Sequence, residues 1–147
     1  MTFAVIGAGN TGQAIASYLS LKGEKVKLYS RDPLKANKIS QHGLELKGMY
    51  SAKLSIEATS LMEEVIEDAE FIIITTTSFG HKQVFNKLKP LLKDNQTIAI
   101  FPGYWGAMEC KEILGDLLEE KNITVAETSA MPFVSKADNA GSVFINK

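Results

Sequence analysis

The chain has 147 residues, 45% of them hydrophobic and 22% charged, the make-up of one compact domain able to bury about two thirds of its unfolded surface. A net charge of -1 with scattered basic residues excludes the electrostatic footprint of a nucleic-acid or anionic-membrane binder. The lone cysteine, Cys110, excludes an internal disulfide and a cysteine-based zinc site, and no apolar run approaches the roughly 20 residues of a membrane span.

In chain order, Met1 leads straight into an apolar run with no basic segment ahead of it, so no signal peptide is expected and the expected compartment is cytoplasmic. Phe3 to Ile6 reads as a strand that runs into a glycine loop. Ile15, Tyr18 and Leu19 follow at helical spacing, with Gly23 placed to end the helix. Lys25 to Tyr29 is a second short strand, and Asp32-Pro33 opens a second helix, aspartate as N-cap and proline at the first helical position. Gly43 ends that helix, and 43–55 reads as a small hairpin or an irregular edge.

Ser60 and Glu63 have the spacing of a capping box, ahead of a helix whose expected buried stripe is Leu61, Met62, Val65 and Ile66. Phe71 to Ile74 is a continuous apolar run, the mark of a parallel strand covered on both faces. A helix carrying Val84, Phe85 and Leu88 stops near Pro90, and Thr97 to Phe101 is another apolar strand. Cys110, Ile113, Leu114, Leu117 and Leu118 share one helical face, and Ile123 to Ala126 is a last parallel strand. After Glu127 the pattern loosens, up to an apolar patch at Val143, Phe144 and Ile145. Alternating strands and amphipathic helices imply an α/β chain: a doubly wound, mostly parallel sheet with helices on both faces, one domain over 1–147.

The loop Gly7-Ala8-Gly9-Asn10-Thr11-Gly12 has the GxGxxG form between a strand and a helix, the context that makes it a Rossmann-type dinucleotide fingerprint. Each glycine has its own reason: Gly7 for the tight turn, Gly9 for close approach of the pyrophosphate, Gly12 for close helix–strand packing. Free N–H groups around Asn10 and Thr11 can then donate to phosphate oxygens. The alternative is a glycine-rich turn with no ligand.

At the end of the second strand, where the adenosine ribose is expected, the chain reads Tyr29-Ser30-Arg31-Asp32. An NAD domain usually has a carboxylate there. Ser30 is uncharged, and Arg31 can pair with a 2′-phosphate, which favours NADP. In the competing reading Asp32 binds the ribose, Arg31 is merely solvated and the cofactor is NAD. At the other strand ends, Thr76 and Thr77 offer hydroxyls to the cofactor, whereas Thr75 suits the role of strand filler. Tyr104 and Trp105 either flank the reacting groups or form a surface for a second domain or a second copy. His42 sits at a helix end among the last carbonyls, His81 opens a helix as a solvated polar residue, and Cys110 reads as core. The chain offers no convincing general acid or base, and no catalytic or metal residue is assigned.

Together GAGNTG, FPGYWGAMECKEIL (101–114) and ETSAMPFVSK (127–136) resemble the N-terminal domain of opine dehydrogenases of the octopine/nopaline type. That family's loop reads approximately N-P-G-x-x-G-G/A with a following glutamate, matched by Pro102, Gly103, Gly106, Ala107 and Glu109. Its next segment begins Glu-Ser/Thr and ends in a basic residue, matched by Glu127, Thr128 and Lys136. Departures fall at Thr77, where the family often has proline, and at Phe101, where it often has asparagine. The resemblance implies a reductase that condenses an amino acid with an α-keto acid and reduces the imine with NAD(P)H. It also implies a C-terminal helical domain that supplies the catalytic histidine and aspartate, so this chain alone is expected to bind cofactor without turnover. Ketopantoate reductases and glycerol-3-phosphate dehydrogenases share the same Rossmann variant and stay open as relatives. A stand-alone NAD(P)-binding sensor or partner-subunit module also stays open.

Overall fold

Apolar runs become the inner strands of a parallel sheet, and the helices between them cover its two faces. In a computed structural model describing residues 1–147, the first half runs β1 (Thr2–Ile6), α1 (Asn10–Leu21), β2 (Lys25–Tyr29), α2 (Pro33–His42), β3 (Leu44–Gly48), β4 (Ala52–Leu54), β5 (Glu57–Thr59) and α3 (Met62–Ile66). The second half runs β6 (Phe71–Ile74), α4 (Ser78–Leu88), β7 (Thr97–Ile100), α5 (Gly106–Leu114), α6 (Leu117–Glu120), β8 (Thr124–Glu127), β9 (Ser135–Asp138) and β10 (Ser142–Ile145). No helix is long and apolar enough to cross a membrane.

The main sheet has six parallel strands in the order β5-β2-β1-β6-β7-β8. This is the doubly wound dinucleotide-binding order, with β5 as its third strand, and the winding reverses between β1 and β6. Alternate residues serve opposite layers. Ala4, Ile6, Ile72 and Ile74 pack with Val65, Phe85 and Leu114 of α3, α4 and α5. Val5, Leu28 and Ile73 pack with Ile15, Ala16, Ala36 and Ile39 of α1 and α2.

A second sheet, in the order β4-β3-β10-β9, goes beyond the sequence reading, which had only the small hairpin that β3 and β4 form. It pairs β3 with β10 in parallel, and flanks them with β4 and β9 antiparallel. Its core side chains Leu46, Val143 and Ile145 meet Ala14 on the flank of α1 that the main sheet leaves open. Helix α1 is therefore enclosed from two sides, which is why six consecutive residues, Gly12 to Ser17, are all buried. Small side chains at Gly12, Ala14, Ala16 and Ser17 make room for that.

The 147-residue chain thus differs from expectation in several local places. Val143 and Ile145 are wholly buried and only Phe144 faces outward, so the tail is a strand with period-two alternation rather than a bare patch. Ser60 makes no capping box: Leu61 is the N-cap, its N–H bonds Thr59 Oγ1 at 3.1 Å, and its side chain is exposed. The helix expected to carry Cys110 through Leu118 breaks at Gly115 (φ +54) into α5 and α6.

Candidate functional site

Strand β1 delivers the chain to the carboxyl edge of the sheet at the winding reversal. Gly7 there has φ +116, a conformation closed to other residues in practice, and its N–H donates to the Tyr29 carbonyl at 3.1 Å. Gly12 lies so close beneath that a Cβ would run into the Gly7 carbonyl oxygen and lie 2.8 Å from Thr75 Oγ1. Gly9 differs from both: nothing lies within 4 Å of where its Cβ would be. Helix α1 has no side-chain cap and no acidic residue in its first turn. The N–H groups from Ala8 to Gly12 find no acceptor in the protein. Five unpaired donors at one helix start form a cradle suited to an anion.

The Asn10 and Thr11 side chains turn away from this cradle. Asn10 Oδ1 accepts from the Ala137 N–H at 2.8 Å, and Thr11 Oγ1 lies 3.4 Å from Met131 Sδ. These two residues offer main-chain donors only.

A cleft of about 440 Å³ runs from the loop along the ends of β2 and β6, with Gly7, Gly9, Ser30, Arg31, Thr76 and Thr77 in its wall. Ser30 is buried, and its Oγ accepts from the Asp32 N–H at 3.3 Å, leaving the hydroxyl proton to donate. Asp32 is the N-cap of α2, with Oδ1 accepting from the Leu34 N–H at 2.9 Å, so its carboxylate is turned into the helix. Arg31 forms no ion pair. Lys35, one turn into α2, stands in the same wall, and Lys87 of α4 lies opposite, its Nζ 3.5 Å from the Tyr29 hydroxyl. Three cations against one capped carboxylate make the cleft electropositive in a chain that is nearly neutral.

The threonine run divides by role. Thr75 Oγ1 is held by the Ile6 and Gly7 carbonyls at 3.0 and 3.1 Å and fixes the turn of the glycine loop. Thr76 Oγ1 is buried without a partner, and Thr77, the N-cap of α4, is exposed with no cap bond of its own. Lys35, Lys87, Gln83 and Asn139 also line the cleft and were not foreseen. Lys35 had a signal, being three residues after the Asp32 cap and so on the same end of α2. Asn139 had none, because only the pairing of β9 with β10 brings it there.

Glu127 joins the two remaining motifs. Its Oε2 accepts from the Ala107 N–H at 2.9 Å, capping α5 from the end of β8, and Gly103 packs directly on its side chain. Tyr104 and Trp105 project beyond this joint, each 75% exposed, and neither lines the cleft. His81 is buried rather than solvated, packed on Phe85 and against Gly106, with no hydrogen-bond partner for either nitrogen and Glu109 Oε2 3.9 Å away.

Strand order and glycine loop together define a protein of the Rossmann-fold class, with an electropositive cleft at the carboxyl edge of its sheet. Residues 3–130 match the family described as Ketopantoate reductase PanE/ApbA, and the chain belongs to that family. It is 30% identical over 149 aligned residues to an opine dehydrogenase of Arthrobacter sp. (strain 1C), covering 99% of this chain and 41% of that protein. A glycerol-3-phosphate dehydrogenase [NAD(P)+] of Carboxydothermus hydrogenoformans is 29% identical over 96 residues, 64% of this chain and 29% of that protein. In fold the chain is similar to octopine dehydrogenase with NADH and pyruvate, at a TM-score of 0.88 and 18% identity, over 100% of this chain and 40% of the other. A PanE/ApbA family ketopantoate reductase from Ralstonia eutropha gives 0.78 at 20% identity, over 100% and 47%. The chain spans about 41% of the length of that opine dehydrogenase.

Proposed function

We propose that this chain is the NADP(H)-binding part of an opine-type oxidoreductase, one that joins an amino acid's amine to an α-keto acid and reduces the resulting imine. The observation that carries the cofactor reading is the cradle of unpaired N–H groups at Ala8 to Gly12, open at Gly9 and continuous with a cationic cleft. A pyrophosphate fits such a cradle, because it accepts from several main-chain donors at once and its charge suits a helix start. The orphaned Thr76 hydroxyl and exposed Thr77 lie further along the same wall, towards the nicotinamide half. When bound, the cofactor supplies the hydride. The chain's own residues bind and orient it. The rest of such an enzyme, about three fifths of the length of the Arthrobacter relative, is where we place the acid–base residues, so the isolated chain binds without turnover.

The preference for NADP rests on the 2′ position. Asp32, the one carboxylate near the ribose end, is engaged as a helix cap, while Arg31 and Lys35 stand free beside Ser30. A charge-assisted hydrogen bond contributes about 1.5–3 kcal/mol, so one such bond to a 2′-phosphate favours NADP about tenfold or more. A second reading, a keto-acid reductase of the ketopantoate type, is favoured by the family match over residues 3–130 and uses the same cofactor cleft.

Calorimetric titration with NADPH and NADH tests the proposal. Wild type is expected to bind NADPH more tightly, and Arg31→Ala to lose at least about tenfold for NADPH with little change for NADH. Preference for NADH in wild type would overturn the NADP assignment, and binding of neither would overturn the cofactor reading.

A further inference from the structure

Three hydrogen bonds tie the phosphate cradle to the second sheet. Asn10 Oδ1 accepts from the Ala137 N–H at 2.8 Å, and the Asn10 carbonyl accepts from Ser135 Oγ at 3.3 Å. Gln13, wholly buried in α1, donates through Nε2 to the Ala8 carbonyl at 2.9 Å and to the Asn139 carbonyl at 2.8 Å. One side-chain amide thus holds the glycine loop and the β9–β10 turn together. The turn itself is tight: the Gly141 N–H closes on the Asp138 carbonyl at 3.0 Å, and Asn139 between them has φ +25. Its main chain is fixed by Gln13, its side-chain amide forms no hydrogen bond within the protein, and the residue lines the cleft together with Gly7, Ala8 and Gly9.

We propose that Asn139 is a ligand of the dinucleotide, its amide N–H donating to a pyrophosphate oxygen from beside the cradle, where Gln13 holds its main chain next to Ala8. This rests on the dinucleotide reading given above and extends it to a residue on a sheet outside the Rossmann order. The chemistry suits the place. A neutral donor adds a hydrogen bond to a phosphate already held by main-chain N–H groups, without the desolvation of another charge. Asparagine also tolerates the positive φ of the turn, so the turn alone accounts for the residue type but not for its place in the lining of the cleft. The second sheet then has a functional part: Asn10 and Gln13 lock it to the loop, and Asn139 returns a contact to the ligand that the loop binds.

Two variants separate the amide from the turn. Asn139→Gly keeps the positive φ at no steric cost and removes the amide; Asn139→Asp keeps the shape and places a negative charge beside the phosphates. Calorimetry with NADPH and NADH on the whole chain is expected to show Asn139→Gly weakening both by the same factor, about five- to tenfold. Asn139→Asp is expected to weaken both further, with a loss that shrinks as salt is raised. Thermal unfolding without cofactor is expected to be unchanged in Asn139→Gly, which shows that the loss is one of contact and not of fold. Wild-type affinity in both variants, while wild type itself binds, would overturn this proposal and leave the cofactor reading standing. A loss confined to NADPH would place the amide at the 2′-phosphate and overturn the pyrophosphate assignment. A wild-type chain that binds neither dinucleotide would overturn both readings.

Discussion

Gly9 and Gly12 belong to one six-residue loop, yet their substitution is expected to have opposite consequences. At Gly12 a new Cβ meets the Gly7 carbonyl oxygen and sits 2.8 Å from Thr75 Oγ1, and the backbone cannot give way without moving β1. Overpacking against rigid neighbours costs about 3 kcal/mol, and replacing a helical glycine with alanine returns about 1 kcal/mol. Gly12→Ala is therefore destabilised by about 2 kcal/mol, which lowers Tm by roughly 4–8 °C in a chain of this size. Gly9 is the N-cap of α1, in extended backbone (φ -83, ψ -164) that any residue adopts, with nothing within 4 Å of its Cβ position. Aspartate is a good N-cap, so Gly9→Asp holds or slightly raises Tm. It also puts a carboxylate where the pyrophosphate is proposed to sit. Like charges about 4 Å apart at an effective dielectric near 20 repel by about 4 kcal/mol, so affinity for NADPH falls by at least about a hundredfold. Scanning calorimetry gives the first quantity and titration calorimetry the second. A Gly12→Ala protein as stable as wild type, or a Gly9→Asp protein that binds NADPH as wild type does, would refute this assignment of the two glycines.

Burial, with Glu109 nearby, pushes the Cys110 thiol up to about 12 from an ordinary value of 9.0. The folded chain is thus expected to resist thiol reagents at pH 8 and to react only on unfolding; fast labelling of native protein would contradict this. Because the unfolded thiol ionises first, this cysteine's contribution to stability is full below pH 9.0 and declines as pH rises towards 12, a trend that Cys110→Ala should reduce in alkaline unfolding curves. Glu127→Ala removes the cap on the Ala107 N–H and is expected to cost about 1 kcal/mol, or roughly 2–4 °C in Tm; an unchanged Tm would show α5 to be held without it. The exposed Phe79, Tyr104, Trp105 and Met108 are expected to drive self-association at micromolar concentration. Sedimentation should show Trp105→Ser shifting the chain towards monomer, and a monomeric wild type would contradict this.

The parts of the fold legible in the sequence are those with local signals. Apolar runs marked β1, β6 and β7, the Asp32-Pro33 pair marked the start of α2, and the six-residue loop marked the join of β1 to α1. The second sheet was legible only as the β3–β4 hairpin, because joining that hairpin to β9 and β10 takes the pairing of β3 with β10, nearly a hundred residues away by sequence number. The same long-range pairing explains the misread tail, and the turn between β9 and β10 explains the unforeseen Asn139. Within the site, residue types pointed to residues that line one cleft but not to each atom's partner. The Asn10 N–H is free as the loop pattern suggests, whereas nothing local in the sequence showed that its side chain bonds β9. Ser60 matches a cap by spacing, but the helix starts one residue later, with Leu61 as N-cap and its N–H bonded back to Thr59 Oγ1. His81 at a helix start reads as solvated, and the close packing of α4 on α5 buries it.

The most direct measurement of the central claim is an amide chemical-shift map of the isotope-labelled chain titrated with NADPH. The largest changes are expected at Ala8, Gly9, Asn10, Thr11 and Gly12, whose N–H groups have no acceptor within the protein, with a second group at Ser30, Arg31 and Lys35 that NADH reproduces only weakly. Saturating NADPH that leaves the Ala8–Gly12 amides unmoved, or that shifts residues away from this edge of the sheet instead, would contradict the claim that this cleft binds a nicotinamide dinucleotide.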